Sequence, residues 1–483
     1  PENEQARLEE IAERYSIFQE FKRTGKGFGS QRRASEETAT RIGMENLART
    51  AGFPDPQRLQ WAMEARSMPD LRAGWLEISV EEVTLRLELD ELAAVPRLII
   101  TGGKGKLLKT LPARLKKHQE VQELLERKRA IEQQIARIRP TLEAAMCRGD
   151  NFTARELVAL LEHPVLSRLL RNLVFLLPAR DERETFAGYP QAHEGELALR
   201  DHAGQLTPVD ASVTDLRLAH PYDLFVSRTW HAWQRECFSS GRAQPFKQIF
   251  RELYVCTSNE IRHGDDALSQ RYHGQQVQPR LAQALLNQRG WLLDQEEGAR
   301  RTFHAEQLTA VLAFTYGGFT PSEVEGWTVG DVCFLPRGEY KPLALASVPP
   351  RVFSETMRDL DLLVSVAHSG GVDPEATAST VEMRAALVSE TCELLGLTNV
   401  TLKGSHVLIA GTRGNYNVHL GSAVVHRQPG GALCIIPVHA QHRGRIFLPF
   451  ADNDPKTAEV ITKVITLARD QEIKDPTILE QLV

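Results

Sequence analysis

The chain has 483 residues and a formal net charge of −5, from 58 lysines and arginines against 63 aspartates and glutamates. Hydrophobic residues make up 42% and charged residues 25%, which is close to the globular average and excludes collagen-like and largely disordered chains. At about 100–200 residues per domain, this length predicts roughly two to four domains. No run of about 18 apolar residues is present, so we expect a soluble protein without a membrane span.

The six cysteines lie far apart and form no C-x-x-C pair, which excludes a zinc knuckle and a thioredoxin-like motif. We interpret them as buried thiols in a reducing compartment and expect a cytoplasmic protein. The chain starts with a polar, acidic stretch that lacks the features of a signal peptide. It also starts without methionine, which suggests the back portion of a longer protein.

The N-terminal third combines helices with a small sheet. Residues 1–70 show helical periodicity, apart from a glycine-rich basic loop predicted at 26–33. From 75 to 101 the period changes to two, which predicts strands that are buried on one side. A long helix follows, and Pro140 is expected to start another. The apolar residues predicted on one face of the long helix are Val121, Leu124, Ile131, Ile135 and Ile138.

Residues 101–140 carry a formal charge of +7, so the rest of the chain carries −12. The candidate binding residues in this segment are Lys104, Lys106, Lys109, Lys116 and Lys117. One interpretation is a solvated helix that packs on its neighbour through the apolar stripe. The other is a phosphate-facing surface, because clustered lysines and arginines release counterions from nucleic acids. The segment has no aromatic residues, which disfavours stacking on unpaired bases here.

The middle of the chain predicts a hairpin at 196–208 and an amphipathic helix at 244–252. Pro245 suits the first turn of that helix, and Lys247 and Arg251 are spaced to lie on one ridge. These charges either pair locally within a buried helix or contact an anionic substrate. No P-loop, Rossmann, α/β-hydrolase or kinase signature is present.

A group of carboxylates marks the segment after residue 350. We predict a helix over 351–359 and a strand over 361–367, which puts Asp359 and Asp361 at the junction. Glu355 shares a helix face with Asp359, and the three carboxylates have the oxygen ligands that Mg²⁺ prefers. Ordinary surface carboxylates at a helix end are the alternative. Glu355, Asp359 and Asp361 are therefore catalytic candidates, and we assign no metal site.

Residues 402–450 predict successive strands broken by glycines. Alternation places Asn415, Asn417 and His419 on one face of a strand, with apolar residues on the other. His419, near Arg413, is a candidate for anion binding or proton transfer, and a structural histidine is the alternative. The histidines at 426, 439 and 442 lack partners at metal-ligand spacing.

Two Asp-Pro pairs close the chain. Asp454 and Asp475 each precede a proline, which predicts the N-caps of two final helices.

Several motifs occur in the order that one family shows. They lie at residues 46–52, 61–64, 105–109, 115–117, 142–146, 220–221, 244–248, 352–361, 419–422 and 473–479. Over about residues 40–483 the chain resembles the C-terminal region of large bacterial proteins described as molybdate-metabolism-regulator-like, a domain of unknown function often found with a WGR domain. The resemblance implies an association with nucleic acid in members that carry the WGR module, and a multi-protein assembly. It implies no catalytic mechanism and no cofactor.

We therefore predict an α+β, multidomain protein with a helical N-terminal half, an inserted sheet and a β-rich C-terminal unit closed by helices. The predicted domains are 1–180, 181–340 and 341–483. The expected function is a regulatory or interaction module of a cytoplasmic bacterial system, with other proteins as partners and nucleic acid contacted through 104–139. The alternative is an enzyme, a transferase or hydrolase acting on a nucleotide or nucleic acid. It requires five residues to converge in one cleft: Arg251, Asp359, Asp361, Arg413 and His419.

Overall fold

A computed structural model describes residues 2–482 except 26, 28, 67–74, 91–94, 179–184, 194, 262–266, 295–297, 317–325, 368–377, 430, 434, 436–447 and 452–453. By their contacts the residues separate into a first unit, Pro1–Glu143 with Asn151–Leu218, and a second unit, Ala144–Asp150 with Ala219–Val483. The described residues form helices and four sheets, so the predicted α+β class is confirmed. The division into three domains stays a prediction.

Three helices open the first unit: α1 (Glu2–Gly25), α2 (Ser30–Ala51) and α3 (Pro56–Arg66). Ile11, Met44 and Leu59 contribute one buried residue from each helix to their common core. The loop predicted at 26–33 is too long, because α2 already begins at Ser30. Glutamine and arginine favour helix there, and Arg32 pairs with Glu36 one turn later.

A three-stranded antiparallel sheet follows the helices. It consists of β1 (Trp75–Val80), β2 (Val83–Leu89) and β3 (Pro96–Thr101), in that order. Burial alternates along β2, so that every second residue from Val83 to Leu89 faces the core. The period of two that predicted these strands is confirmed.

The long helix α4 (Gln119–Arg148) buries all five residues of its predicted stripe. Pro140 lies inside this helix and does not start a new one. An interior proline costs about 3 kcal/mol or more. Ile138, Leu142 and Met146 around it are fully buried, at roughly 1.5–3 kcal/mol each, so packing carries the helix past the proline.

The first unit ends in a six-stranded sheet of order β4-β9-β5-β6-β7-β8, with two short helices beside it in sequence. The elements are β4 (Asn151–Phe152), α5 (Ala154–Leu161), α6 (Leu166–Leu170), β5 (Phe175–Leu177), β6 (Phe186–His193), β7 (Glu196–Arg200), β8 (Leu206–Val209) and β9 (Leu216–Leu218). β7 and β8 pair antiparallel, which confirms the hairpin predicted at 196–208.

The second unit contains a five-stranded sheet of order β10-β14-β13-β12-β11 and the helices around it. The elements are α7 (Pro221–Val226), α8 (Trp230–Ser239), β10 (Gln276–Val277), α9 (Pro279–Gln288), β11 (Leu292–Asp294), β12 (Gly298–Phe303), β13 (Leu308–Tyr316), β14 (Trp327–Pro336) and α10 (Pro350–Ala367). Trp291, Trp327 and Phe334 form a core with Phe353 and Leu360 of α10.

The strand predicted at 361–367 is wrong, because α10 continues through these residues. Leu360, Leu363, Val364 and Ala367 recur at helical spacing and are all buried. Asp359 and Asp361 therefore lie within the helix, and α10 buries its polar residues as well as its apolar ones.

The helix predicted at 244–252 is also wrong, since these residues form turns and irregular structure. Gln244 instead pairs its main chain with the segment around Phe450, accepting from Ala451 and donating to Pro449. Its side-chain oxygen accepts a hydrogen bond from the Ile249 amide at 2.8 Å. These bonds replace the helical ones that the sequence pattern predicted.

A second antiparallel sheet, of order β15-β16-β17-β18-β19, packs against the last long helix. The elements are α11 (Ala378–Leu395), β15 (Val400–Lys403), β16 (His406–Ala410), β17 (Asn415–His419), β18 (Val425–Gln428), β19 (Ala432–Leu433), α12 (Pro455–Ala468) and α13 (Pro476–Leu479). Tyr416 and Val418 are buried, as the alternation predicted. The strands predicted at 434–437 and 446–449 lie largely outside the described residues.

Both predicted Asp-Pro caps are confirmed, with Asp454 and Asp475 accepting from the amides of Thr457 and Thr477. Within the described part of the chain, no helix is long and apolar enough to cross a membrane.

Candidate functional site

The catalytic candidate Glu355 lies in a buried cluster with Arg251, His220 and Cys147. Arg251 donates to both carboxylate oxygens, from Nε to Oε1 at 2.7 Å and from a terminal nitrogen to Oε2 at 2.6 Å. The Cys147 thiol donates to Oε2 at 3.0 Å. Arg251 and Glu355 are 0% and 1% exposed, so this bidentate pair is fully desolvated.

The protonation of this cluster follows from its contacts. Burial alone would raise the pKa of Glu355, but Arg251 and His220 outweigh it and hold that pKa well below its usual range. Burial lowers the pKa of His220. The Nδ1 atom of His220 accepts from the Tyr222 amide, so the neutral ring carries its proton on Nε2 and donates it to Glu355 at 3.0 Å.

The other two carboxylates of α10 have separate partners. Asp359 accepts hydrogen bonds from Trp291, at 2.8 Å, and from Arg301. Asp361 accepts from the Tyr254 hydroxyl at 2.6 Å. Each carboxylate thus accepts from donors of the protein, with only Oδ1 of Asp359 lacking a hydrogen-bond partner among the described residues, which disfavours the Mg²⁺ interpretation. Among the described residues, no group of three or more His, Cys, Asp or Glu is arranged to hold a metal ion.

The candidate Lys247 links the irregular segment to the last long helix. Its Nζ contacts Glu252 at 3.0 Å and Asp454 at 2.7 Å, and Arg358 donates to Glu252 at 3.1 Å. Burial opposes the charge on Lys247, but the two carboxylates outweigh it and raise its pKa. Lys247 is therefore a buried structural cation rather than an exposed anion ligand.

Arg413 and His419 lie on the C-terminal sheet with partners of their own. The Arg413 amide and Nε donate to Asp470, at 2.6 Å and 3.2 Å. His419 bonds through Nδ1 to the amide and hydroxyl of Ser422. The five residues that the enzyme alternative requires are thus divided among separate partners: Glu355, Arg301, Tyr254, Asp470 and Ser422.

The candidate lysines of the first unit have a different setting. After β3, the amide of Gly102 donates to the Lys106 carbonyl at 2.8 Å and closes a tight turn. A second turn, Ala113–Lys117, buries Leu115 and exposes Lys116 and Lys117, which directly precede His118. Lys104 lies in the first turn, at Gly103–Gly105.

Both turns meet the same hairpin tip between β1 and β2. Arg114 pairs with Glu81 at 3.2 Å. The main chain at Gly103 lies close to Glu82, because a Cβ atom placed on Gly103 would be 3.1 Å from a carboxylate oxygen of Glu82. The two lysine-bearing segments are therefore fixed at one end of the three-stranded sheet. Glu81 itself has positive φ, at 55°, as a tight two-residue turn requires.

We define the basic surface as four lysines of these segments: Lys106, Lys109, Lys116 and Lys117. All four side chains are exposed, and none has an ion-pair partner within the described part of the chain. By contrast, Lys128 and Arg137 on α4 pair with Glu132 and Glu64. The positive charge that lacks a partner is thus concentrated before the helix rather than along it.

Sequence reasoning missed several members of the buried clusters. Cys147, Trp291 and Arg301 carry no local motif and become neighbours of α10 only through the fold. His220 had a detectable signal, because His-Pro-Tyr-Asp is a helix-start pattern and His220 and Asp223 form a capping box.

Comparisons with known families find three matches. Residues 105–291 match a family model described as a domain of unknown function, DUF4132. Residues 381–482 match a domain of unknown function, DUF7737, and residues 2–63 a family of unknown function, DUF5724. These descriptions name neither molybdate regulation nor a WGR domain, so that resemblance stays a prediction. Neither the search of curated proteins nor the search of solved structures finds a significant match.

Proposed function

We propose that this chain is a non-enzymatic interaction module that contacts nucleic acid through the basic surface, as part of an assembly with other proteins. One observation carries the proposal. Lys106, Lys109, Lys116 and Lys117 are exposed and lack ion-pair partners in the described residues, although the whole chain is acidic. A net negative protein that leaves one group of lysines without carboxylate partners has a local positive potential there.

The expected mode is contact with phosphates and not with bases. Lysine ammonium groups are strongly hydrated point charges on flexible stems, which suit phosphate oxygens in any sequence. The apolar side chain next to Lys106, Leu107, is 71% exposed and has no ring on which a base could stack. Binding by these residues is therefore expected to be independent of sequence and sensitive to salt.

The enzyme alternative lacks such support. Its carboxylates are buried at 8% exposure or less, and each is engaged by donors of the protein. Glu355 and Asp359 are also neutralised by arginines, and a buried carboxylate that is already paired in this way is poorly suited to proton transfer.

The test is fluorescence anisotropy of a labelled 20-base-pair duplex at low salt. The variant K106Q/K109Q/K116Q/K117Q is expected to bind at least about tenfold more weakly, since several phosphate contacts are lost. The matched control K22Q/R155Q/K341Q/K474Q removes the same charge at exposed sites elsewhere and should bind like the wild type. Equal weakening by both variants would overturn the proposal, as would the absence of duplex binding by the wild type at low salt.

A further inference from the structure

The outer face of the C-terminal sheet carries a group of rings and amides that the proposed function does not use. One face of this sheet packs on α12 through buried residues such as Val407 and Val418. The opposite face is half-buried to exposed, and its polar side chains share it with Leu408 and Ala410. Its main polar side chains are Lys403, His406, Asn417, His419, His426 and Gln428.

The strand register brings the histidines together. His406 of β16 lies directly opposite His419 of β17, and their ring centroids are 4.8 Å apart. His426 of β18 lies opposite Asn417, one position diagonal to His419. Three imidazoles on three neighbouring strands therefore lie beside the Asn417 amide, which has Leu408 opposite it on β16.

The rings are held in place by their neighbours. The Ser422 amide donates to Nδ1 of His419 at 3.1 Å, and the Ser405 hydroxyl contacts Nδ1 of His406 at 3.0 Å. Side chains that are oriented before binding lose little freedom when a ligand arrives. The pair is thus held in place before a ligand binds, with its two ring planes tilted by 52° to each other.

An acceptor without a partner lies between the rings. The Oδ1 atom of Asn417 is buried and has no hydrogen-bond partner among the described residues. A buried carbonyl oxygen without a hydrogen-bond partner is unfavourable. A ligand that donates an N–H to this oxygen removes that cost, which favours binding. Nucleobases offer such donors on their edges, and their planes stack on aromatic side chains that include histidine.

The charge of the face agrees with a nucleic-acid ligand. Along the register of β15 to β19, none of the described side chains on this face is acidic, and Lys403 stands opposite His406 at its edge. An anionic backbone therefore meets no repulsion, while bases reach the rings and amides. Paired bases cannot present their faces in this way, so the ligand must be unpaired.

We propose that this sheet face binds unpaired nucleotides of a single-stranded nucleic acid, by stacking on His406, His419 and His426 and by hydrogen bonding to Asn417. The proposal goes beyond the proposed function, because it rests on other residues in the second unit and on base contacts instead of phosphate contacts.

The test uses the full chain and labelled 12-nucleotide single strands of RNA and DNA in anisotropy titrations. H406A/H419A/H426A is expected to lose at least about tenfold in affinity for single strands, because the stacking contacts of three rings are lost together. Its affinity for the duplex should stay within about twofold of the wild type. The control H231A/H273A/H304A removes exposed or part-exposed imidazoles elsewhere and should change neither affinity.

A second pair of variants separates stacking from charge. H426A should weaken single-strand binding, whereas H426Y keeps a ring at that position and should bind at least as tightly as the wild type. Equal weakening by H426A and H426Y, or unchanged single-strand binding by the triple alanine variant, would overturn the inference. Circular dichroism and melting temperature check that each variant is folded.

The two proposals fail separately. If nucleic-acid binding depends on the histidines and not on the basic surface, the inference about the sheet face is supported and the proposed function is wrong. If duplex binding depends on the lysines and no single strand binds, the proposed function stands and this inference falls.

Discussion

Glu355 is a catalytic candidate whose charge is buried and held by three polar partners. Its two oxygens face Arg251, His220 and Cys147 with almost no exposure to water. A buried ion pair gives little net stability relative to apolar residues, but removing one partner leaves an uncompensated buried charge. The cluster therefore makes α10 sensitive to the loss of either charge.

Glu355→Gln should lower the free energy of unfolding by about 3–5 kcal/mol, because Arg251 stays charged in a dry site. Urea unfolding followed by circular dichroism measures the change. Glu10→Gln is the control, since Glu10 and Arg14 are 61% and 59% exposed and such pairs contribute roughly 0–1 kcal/mol. A loss for Glu355→Gln no larger than for Glu10→Gln would contradict the role of the cluster.

His163 in the first unit is expected to make stability depend on pH. Burial lowers its pKa from 6.5 to about 4. Its Nδ1 accepts hydrogen bonds from the Val165 and Leu166 amides, at 3.1 Å and 3.2 Å, which a protonated nitrogen could not do. The folded state thus holds the neutral ring, while the unfolded chain takes up a proton near pH 6.5.

The contribution of His163 is complete above pH 6.5 and is lost as the pH falls toward 4, by roughly 3 kcal/mol at about 1.4 kcal/mol per pKa unit. His163→Asn keeps a short acceptor and cannot titrate, so its stability should fall less over this range. Urea unfolding at pH 7, 5.5 and 4 provides the comparison. Parallel pH profiles for the two proteins would contradict the assignment.

At the scale of elements, the two capped C-terminal helices differ in what their aspartates touch. Asp454 caps α12 and also pairs with the buried Lys247. Asp475 caps α13 in the same Asp-Pro arrangement, and its contacts stay local to the cap. The same sequence pattern thus serves one helix locally and ties the other to a distant segment.

Asp475→Ala should lower the free energy of unfolding only slightly, because it removes one exposed N-cap. Asp454→Ala should cost more, about 2–4 kcal/mol, since a partner of a buried cation is lost as well. Asp454→Asn keeps the cap oxygen, so its loss of stability should lie between those of Asp475→Ala and Asp454→Ala. Thermal and urea unfolding of the three variants give the order, and equal costs for Asp454→Ala and Asp475→Ala would show that the link to Lys247 contributes nothing.

Sequence patterns correctly predicted the elements that depend on interactions between residues close together in the chain. The stripe of α4, the alternation in β2 and both caps followed from spacing and from N-cap chemistry. The failures lie where tertiary packing decides. Pro140 lies inside α4 because its neighbours are buried. Helix α10 extends through Asp361 because residues 352–361 are all buried, and the main chain of Gln244 bonds to the segment around Phe450.

In the candidate site, too, the sequence predicts local features and not the contacts between distant segments. The sequence could indicate that Lys106 and Lys116 belong to a basic segment, because charge is a local property. It could not indicate that both turns contact the tip at Glu81 and Glu82, or that Glu355 faces Cys147 across 208 residues. Those contacts exist only after distant segments have folded together.

At the scale of the whole molecule, the net charge of −5 is the sum of one positively charged segment and a negatively charged remainder. The segment 101–140 carries +7 and the rest −12. Lys128 and Arg137 on α4 are paired, whereas the four lysines of the basic surface face solvent close together without carboxylate partners among the described residues. A protein of this kind is expected to repel a nucleic-acid duplex over most of its surface and to attract it at the basic surface.

The salt dependence of duplex binding tests this account most directly. Plotting log K against log salt for the wild type should give a negative slope, and K106Q/K109Q/K116Q/K117Q should make that slope shallower by about 3–4, near 0.9 per lost phosphate contact. The control K22Q/R155Q/K341Q/K474Q should keep the wild-type slope. Identical slopes for the wild type and the basic-surface variant would contradict the central claim.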